Sequence, residues 1–171
     1  MRPPTRSALA CALALAGMTA TAASVAVVPI KLQGALLKKV IAYDKTLQDS
    51  GGVEVLVVYV SAPAEEHEEV VRTFNELSIS SRTVSIGEIE ASLKPASVIY
   101  VSPGSGSVRE VSRKHGILTV GGDRSLVESG EVVIGVGMVD SKPKIFINQT
   151  ELRETGHELS SKLLQLATLV E

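Results

Sequence analysis

Tryptophan is absent from the 171-residue sequence, and cysteine occurs once, at Cys11. Three Tyr and two Phe are the only large aromatic rings, too few for the stacking platform that holds single-stranded nucleic acid. A basic excess is missing too. Lys and Arg number 17 against 19 Asp and Glu, so no global positive field draws nucleic acid. No Walker lysine motif occurs. Beyond residue 23 no run approaches the ~18 uninterrupted apolar residues that a membrane-spanning helix requires. What is present is a chain 44% hydrophobic and 21% charged. That balance excludes disorder and suits one packed domain.

The first residues read as a targeting segment. Arg2 and Arg6 flank the start of an apolar stretch, Ala8 to Met18, and the small residues Thr19, Ala20, Thr21, Ala22 and Ala23 follow. A basic start, an apolar segment too short to span a bilayer and an Ala20-x-Ala22 pattern predict a cleaved secretory signal over residues 1–23. An uncleaved anchor would need a longer apolar run. A lipoprotein signal would carry Leu where Ala8 stands and a cysteine later than Cys11. Residues 24–171 then form a single exported domain. Cleavage lowers Lys and Arg from 17 to 15 against 19 acids, a formal charge of −4, and removes Cys11. The domain is expected to be periplasmic, to hold no disulfide and no Cys-ligated metal, and to stay out of the membrane.

Beyond the signal, helix and strand patterns alternate. Leu32, Leu36, Val40, Tyr43 and Leu47 fall at three- and four-residue steps, which predicts an amphipathic helix over Ile30 to Gln48. Val53 to Val60 has no polar face and reads as a strand buried on both sides, hence central and parallel. A helix through Leu77 opens with Glu65, Glu66, Glu68 and Glu69, which suit its positive end. Short strands are predicted at Arg82 to Ile86, Ser97 to Ser102 and Ile117 to Val120, with helices between them. Glu131 to Val139 and Lys144 to Asn148 read as a hairpin joined by Asp140 to Pro143. One long helix is expected from Thr150 to about Leu169, capped by Asn148 with Glu151 three residues on. The pattern predicts one three-layer α/β domain, with a mostly parallel sheet, a C-terminal antiparallel hairpin and flanking helices.

Catalytic and metal motifs fail on spacing. His67 stands among four glutamates, yet the same-face positions around it are Pro63, Ala64, Val70 and Val71, so a solvated acidic helix start is the better reading than a metal site. His115 before Gly116 reads as a helix stop. Glu154 and His157 make one E-x-x-H pair, where di-iron bundles need two such motifs and two further carboxylates, so a surface polar pair is expected. The Gly104-Ser105-Gly106-Ser107 turn is neither a G-x-S-x-G nucleophile elbow nor a dinucleotide fingerprint. Gly135 and Gly137 lie inside a strand, where paired glycines mark a bulge or close packing. No enzyme and no cofactor is predicted. The strand ends carry one further pattern. Ser102, Gly104, Ser105, Asp123 and Arg124 lead into helix starts and are candidates for a small-ligand or anion site. Ordinary tight turns use the same residue types.

The C-terminal third carries a resemblance. Gly121-Gly122-Asp123-Arg124-Ser125-Leu126-Val127-Glu128-Ser129-Gly130 leads into an apolar strand. The hairpin and Ile145-Phe146-Ile147-Asn148 follow, and the chain closes with Ser160-Ser161-Lys162-Leu163-Leu164-Gln165-Leu166-Ala167. This order resembles the YfiR-like family of exported bacterial proteins, and Ala35-Leu36-Leu37-Lys38-Lys39 looks like that family's opening helix. The resemblance implies a periplasmic regulatory protein that binds rather than reacts. It implies as partner the periplasmic part of a membrane-anchored signalling protein of the diguanylate cyclase type, hence an effect on cyclic di-GMP and biofilm formation. A kinase or an outer-membrane receptor would be a different partner of the same kind, and a homodimer is admitted. Lys38, Lys39 and Tyr43 on the first helix, with Arg153 and His157 on the last, are the predicted contact residues. The rival reading is a periplasmic receptor domain for a small ligand or anion at the strand ends.

Overall fold

The computed structural model describes residues 28–60, 64–102 and 104–171; the expected signal segment lies outside them. Seven strands form one sheet: β1 Glu54–Tyr59, β2 Ser81–Ser85, β3 Ser97–Val101, β4 Leu118–Gly121, β5 Ile134–Val139, β6 Lys142–Asn148 and β7 Ala167–Val170. Their spatial order is β2-β1-β3-β4-β5-β6-β7. The first five run parallel, β6 runs antiparallel to β5, and β7 runs parallel to β6. The predicted α/β architecture with a C-terminal antiparallel hairpin is therefore the observed one.

The buried strands have no polar face because helices cover both sides of the sheet. On one side Val55, Val57, Val98 and Tyr100 pack with Leu37 and Val40 of α1 (Ile30–Tyr43), Leu47 of α2 (Lys45–Gln48), Phe74 of α3 (Ala64–Glu76) and Leu163 of α8 (Ser161–Leu166). On the other, Leu56, Val58, Ile99 and Val101 meet Ile89 of α4 (Ile89–Ser92), Val111 of α5 (Arg109–His115) and Val127 of α6 (Arg124–Glu128). A short 3-10 turn, Ile86–Glu88, precedes α4. Alternate residues of each strand thus feed two separate cores.

Three expectations are corrected. The first helix is not continuous to Gln48. Asp44 adopts an extended conformation, and its Oδ1 accepts the Leu47 N–H at 3.2 Å, so it ends α1 and caps α2. The hairpin loop is shorter than Asp140 to Pro143. Only Asp140 and Ser141 turn, both with positive φ (50° and 60°), the two-residue geometry that matches strand twist.

The long last helix is three elements. α7 spans Gln149–Thr155 and stops at Gly156, whose φ of 72° is left-handed. His157 to Ser160 run beside the α1–α2 joint, with Asp44 bridged to Leu159. Ser160 caps α8, and residues 167–170 then leave the helix to pair with β6. Leu166, expected on the apolar face of that helix, is exposed, and so is Leu169.

Gly135 and Gly137 mark close packing rather than a bulge. A Cβ at Gly135 would stand 2.3 Å from Val127 Cγ2 and 3.1 Å from the Asp123 carbonyl, so α6 lies directly on β5 because glycine is there.

Candidate functional site

Strand order reverses between β1 and β3, which lie side by side while their connections run to opposite sides. In doubly wound sheets a crevice opens at that point, outside the carboxyl ends of the strands. The register pairs Val58 with Val101 and Val101 with Gly121. Tyr59 and Val60, then Ser102, Gly104 and Ser105, then Gly122, Asp123 and the helix start at Arg124 therefore lie along one rim. All five residues proposed for a small ligand belong to it.

Most of their polar groups are engaged within the chain. Ser105 is buried and its Oγ donates to the Val58 carbonyl at 2.9 Å. The Asp123 carboxylate caps α6 by accepting the Ser125 N–H at 2.8 Å. Arg124 donates through Nε to Glu128 at 2.7 Å, one helical turn on, and its guanidinium lies 5.0 Å over the Phe146 ring. Ser102 is half-buried, and Gly104 is exposed at a φ of 82°, a turn conformation that favours glycine.

The start of α1 plugs the rim from one side. Gln33 is buried; its Nε2 donates to the Val28 carbonyl at 2.7 Å, and its Oε1 accepts the Tyr100 hydroxyl. Gly122 makes room for it, since a Cβ there would approach Gln33 Oε1 to 2.3 Å. Burial pushes the Tyr100 phenol well above its ordinary range, so the hydroxyl stays a donor.

His67, in the first turns of α3, neighbours Tyr59 at the end of β1. The solvated reading of this residue is corrected, because its ring is buried with the centroid 5.3 Å from that of Tyr59. His67, Val70, Val71 and Phe74 share the face of α3 turned to the sheet, at steps of three and four. The glutamates at 65, 66, 68 and 69 take the solvent side. His67 Nε2 has no hydrogen-bond partner among the described residues.

The predicted contact residues divide. Lys38 and Lys39 are exposed on α1. Lys38 Nζ donates to the Leu77 carbonyl at 3.0 Å, beside a shallow groove of about 320 Å³ lined in part by Ile41, Val53 and Ile79. Tyr43 is half-buried, and Lys162 Nζ of α8 lies 5.6 Å from its ring centroid. The Tyr43 carbonyl also accepts the Ser160 N–H at 2.8 Å. The ends of α1 and α8 thus share one surface, which the unbroken last helix of the sequence reading would not have produced. Arg153 is exposed on α7.

His157 is not on a surface and does not pair with Glu154. Its Nδ1 lies 2.7 Å from Asp44 Oδ2, and its Nε2 lies 3.1 Å from the Gly116 carbonyl. The ring thus sits between two oxygens, one from a carboxylate and one from the backbone. The pair is almost wholly buried, with side chains 3% and 0% exposed. It ties the α1–α2 joint, the entry to β4 and the α7–α8 linker together. The signal in the sequence was Gly156 just before His157: a helix that stops there turns the histidine inward.

A second buried charge was missed for lack of any local motif. Glu151, in the first turn of α7, is 4% exposed and accepts from Arg109, and from Arg113 Nε and Nη2 at 2.8 and 2.7 Å. The hydrogen bonds from Arg113, against the opposing effect of burial and with help from Arg109, hold its carboxyl below the ordinary range. Asn148 fixes the start of α7: its Oδ1 accepts the Glu151 N–H at 3.0 Å, and its Nδ2 donates to the Val127 carbonyl at 3.0 Å. Asn148 was read correctly as a cap. The partners of Glu151 lie 38 and 42 residues away, beyond the reach of any spacing rule.

The model of the YfiR/HmsC-like family matches residues 31–168. The chain belongs to the YfiR/HmsC-like family. That assignment agrees with the likeness carried by the C-terminal third, and it makes this chain a relative of bacterial regulatory proteins. No curated protein sequence matches it.

Among solved structures the chain is similar to a conserved domain protein from Vibrio cholerae, with a TM-score of 0.63 at 13% identity. It is also similar to an ABC domain in complex with L-Trp from Streptococcus pneumoniae, TM-score 0.59 at 15% identity. A third likeness is to the ligand-free, open structure of a substrate-binding protein with adhesive properties from Clostridium difficile, again TM-score 0.59 at 15% identity. Each match covers 84% of this chain and 60% of the other, so the chain spans about three fifths of those proteins' length. At such identities the likeness is one of fold. Among the described residues no helix is long and apolar enough to cross a membrane.

Proposed function

We propose that this chain is a periplasmic regulator that acts by protein–protein contact on the periplasmic part of a membrane-anchored signalling protein, of the diguanylate cyclase type. The family match over residues 31–168 carries the reading. The α1–α8 surface supports it: Lys38 and Lys39 offer exposed cationic contacts, and Tyr43 with Lys162 adds a ring-and-cation patch beside them. Such a mixed polar and aromatic surface suits reversible contact with another protein. Photo-cross-linking from position 39 in living cells tests it. The expected product is an adduct with a membrane protein that carries a cyclase domain; adducts with soluble proteins alone would refute the reading.

One observation favours ligand capture instead. Two of the similar folds belong to proteins described with a bound amino acid or as substrate-binding. Against it, Ser105, Asp123 and Arg124 already spend their polar groups on the chain itself. The match also reaches only 60% of those proteins' length. A thermal-shift screen of anions and amino acids separates the two readings: the regulatory reading predicts no shift, whereas a saturable shift abolished by Asp123→Ala would favour capture.

A further inference from the structure

We propose that β7 pairs with β7 of a second copy of this chain, antiparallel across a two-fold axis, so that two seven-stranded sheets join into one. The two edges of the sheet differ. β2, Ser81–Ser85, bears Arg82, exposed Thr83 and two serines, and Arg82 reaches back to Glu54 and to the Ser92 carbonyl. Polar and charged residues on an edge strand guard it against further pairing.

β7 has no such guard. Its sequence, Ala-Thr-Leu-Val, contains no charge and no proline, and among the described residues only β6 pairs with it. Two of the three large exposed hydrophobics described in the chain, Leu166 at 65% and Leu169 at 46%, stand on or beside this strand. An open ladder of backbone donors and acceptors next to exposed leucine invites another strand.

The geometry favours a second copy over other strands. Phe146 and Thr168 are register partners, as are Ile147 and Leu169. Ile147 packs on the α1 and α8 side of the sheet, so Leu169 stands on that side too. A two-fold axis perpendicular to the sheet keeps each residue on its own side. Leu169 of both copies therefore meets on one face, next to both Leu166 side chains, and apolar surface covers apolar surface. No charge lies between Lys162 and Glu171 to oppose the approach. Pairing of β7 with the other edge, β2, would be head-to-tail and would not close; the polar β2 edge blocks that route while the β7 pair closes on itself. The inference is independent of the regulatory reading.

Sedimentation velocity tests it on protein purified from cells expressing the full gene product, between about 1 µM and 1 mM, with hydrogen exchange read at the β7 amides. The expected result is a mass that doubles with concentration and β7 amides whose protection falls on dilution. Leu169→Arg and Leu166→Arg, both at exposed positions, are expected to raise the concentration of half-dimerisation at least about tenfold with unchanged circular dichroism. A monomer over the whole range would overturn the proposal. So would a dimer that both variants leave intact. β7 amides that stay protected in a sample sedimenting as monomer would mean that a segment of the same chain covers the edge, which also overturns it.

Discussion

Replacing Glu151 by glutamine isolates the charge that joins α5 to α7. Its carboxylate is 4% exposed and collects N–H groups from two guanidinium groups. A hydrogen bond to a charged group contributes about 1.5–3 kcal/mol, and removing one partner of a buried ion pair costs about 3–5 kcal/mol. Here the arginines are 40% and 35% exposed, so water recovers part of the loss. The glutamine carbonyl also keeps one bond. A cost of about 2 kcal/mol follows, or about 4–8 °C in Tm for a chain of this size.

The pH dependence has a definite sign. A carboxyl whose pKa is depressed on folding contributes stability that is complete above its unfolded value and disappears as pH falls through the folded one. The ordinary value for Glu151 is 4.5, and hydrogen bonds from Arg113, opposed by burial and aided by Arg109, hold the folded value below it. Urea unfolding of wild type and Glu151→Gln from neutral to acid pH measures the difference. It is expected to be constant above the ordinary carboxylate range and to shrink below it. A difference under about 0.5 kcal/mol at neutral pH, the size of an ordinary surface substitution, would refute the reasoning. So would one that acid leaves unchanged.

Further outcomes follow from packing. His157→Ala leaves the Asp44 carboxylate buried without its partner and is expected to cost about 3–5 kcal/mol. Asp44→Asn in the same background removes the stranded charge and should recover part of that loss, which chemical denaturation will register. Gly135→Ala places a methyl against Val127 and the α6 backbone and is expected to destabilise by about 1–3 kcal/mol. A Tm equal to wild type would mean that α6 does not rest on β5. Phe74→Ala empties a fully buried site in edge-to-face contact with Tyr100, ring centroids 5.1 Å apart, and should cost about 3–5 kcal/mol in the same assay.

The core of the fold was legible because it is written in local pattern. The unbroken apolar runs at β1 and β3 announced strands covered on both faces, and the stripe of α1 announced a helix. The C-terminal segment was misread because Leu152, Leu159, Leu163, Leu166 and Val170 keep helical spacing across Gly156. The stop signal in that glycine, and the cap in Ser160, outweigh a periodicity that β6 then overrides by offering an open edge to residues 167–170. Both misjudged histidines fail for a related reason. His67 faces inward because its helix lays that side on the sheet, and His157 because the chain turns at Gly156. Asp44 lies 113 residues from His157, and Tyr59 stands on the strand before α3, outside any helical spacing from His67. The strand-end residues do gather on one rim as the α/β reading implied. Sequence alone gave no way to foresee that Val58, Ser125 and Glu128 already occupy their polar groups.

Cyclic di-GMP measured in a strain lacking this gene, with and without the gene restored, bears most directly on the regulatory role. Loss of the gene is expected to raise cyclic di-GMP and surface attachment; wild type should restore both, and Lys39→Glu with Tyr43→Ala should restore neither while folding normally. Levels that do not move on deletion, in cells that still carry a membrane-anchored cyclase, would contradict that role.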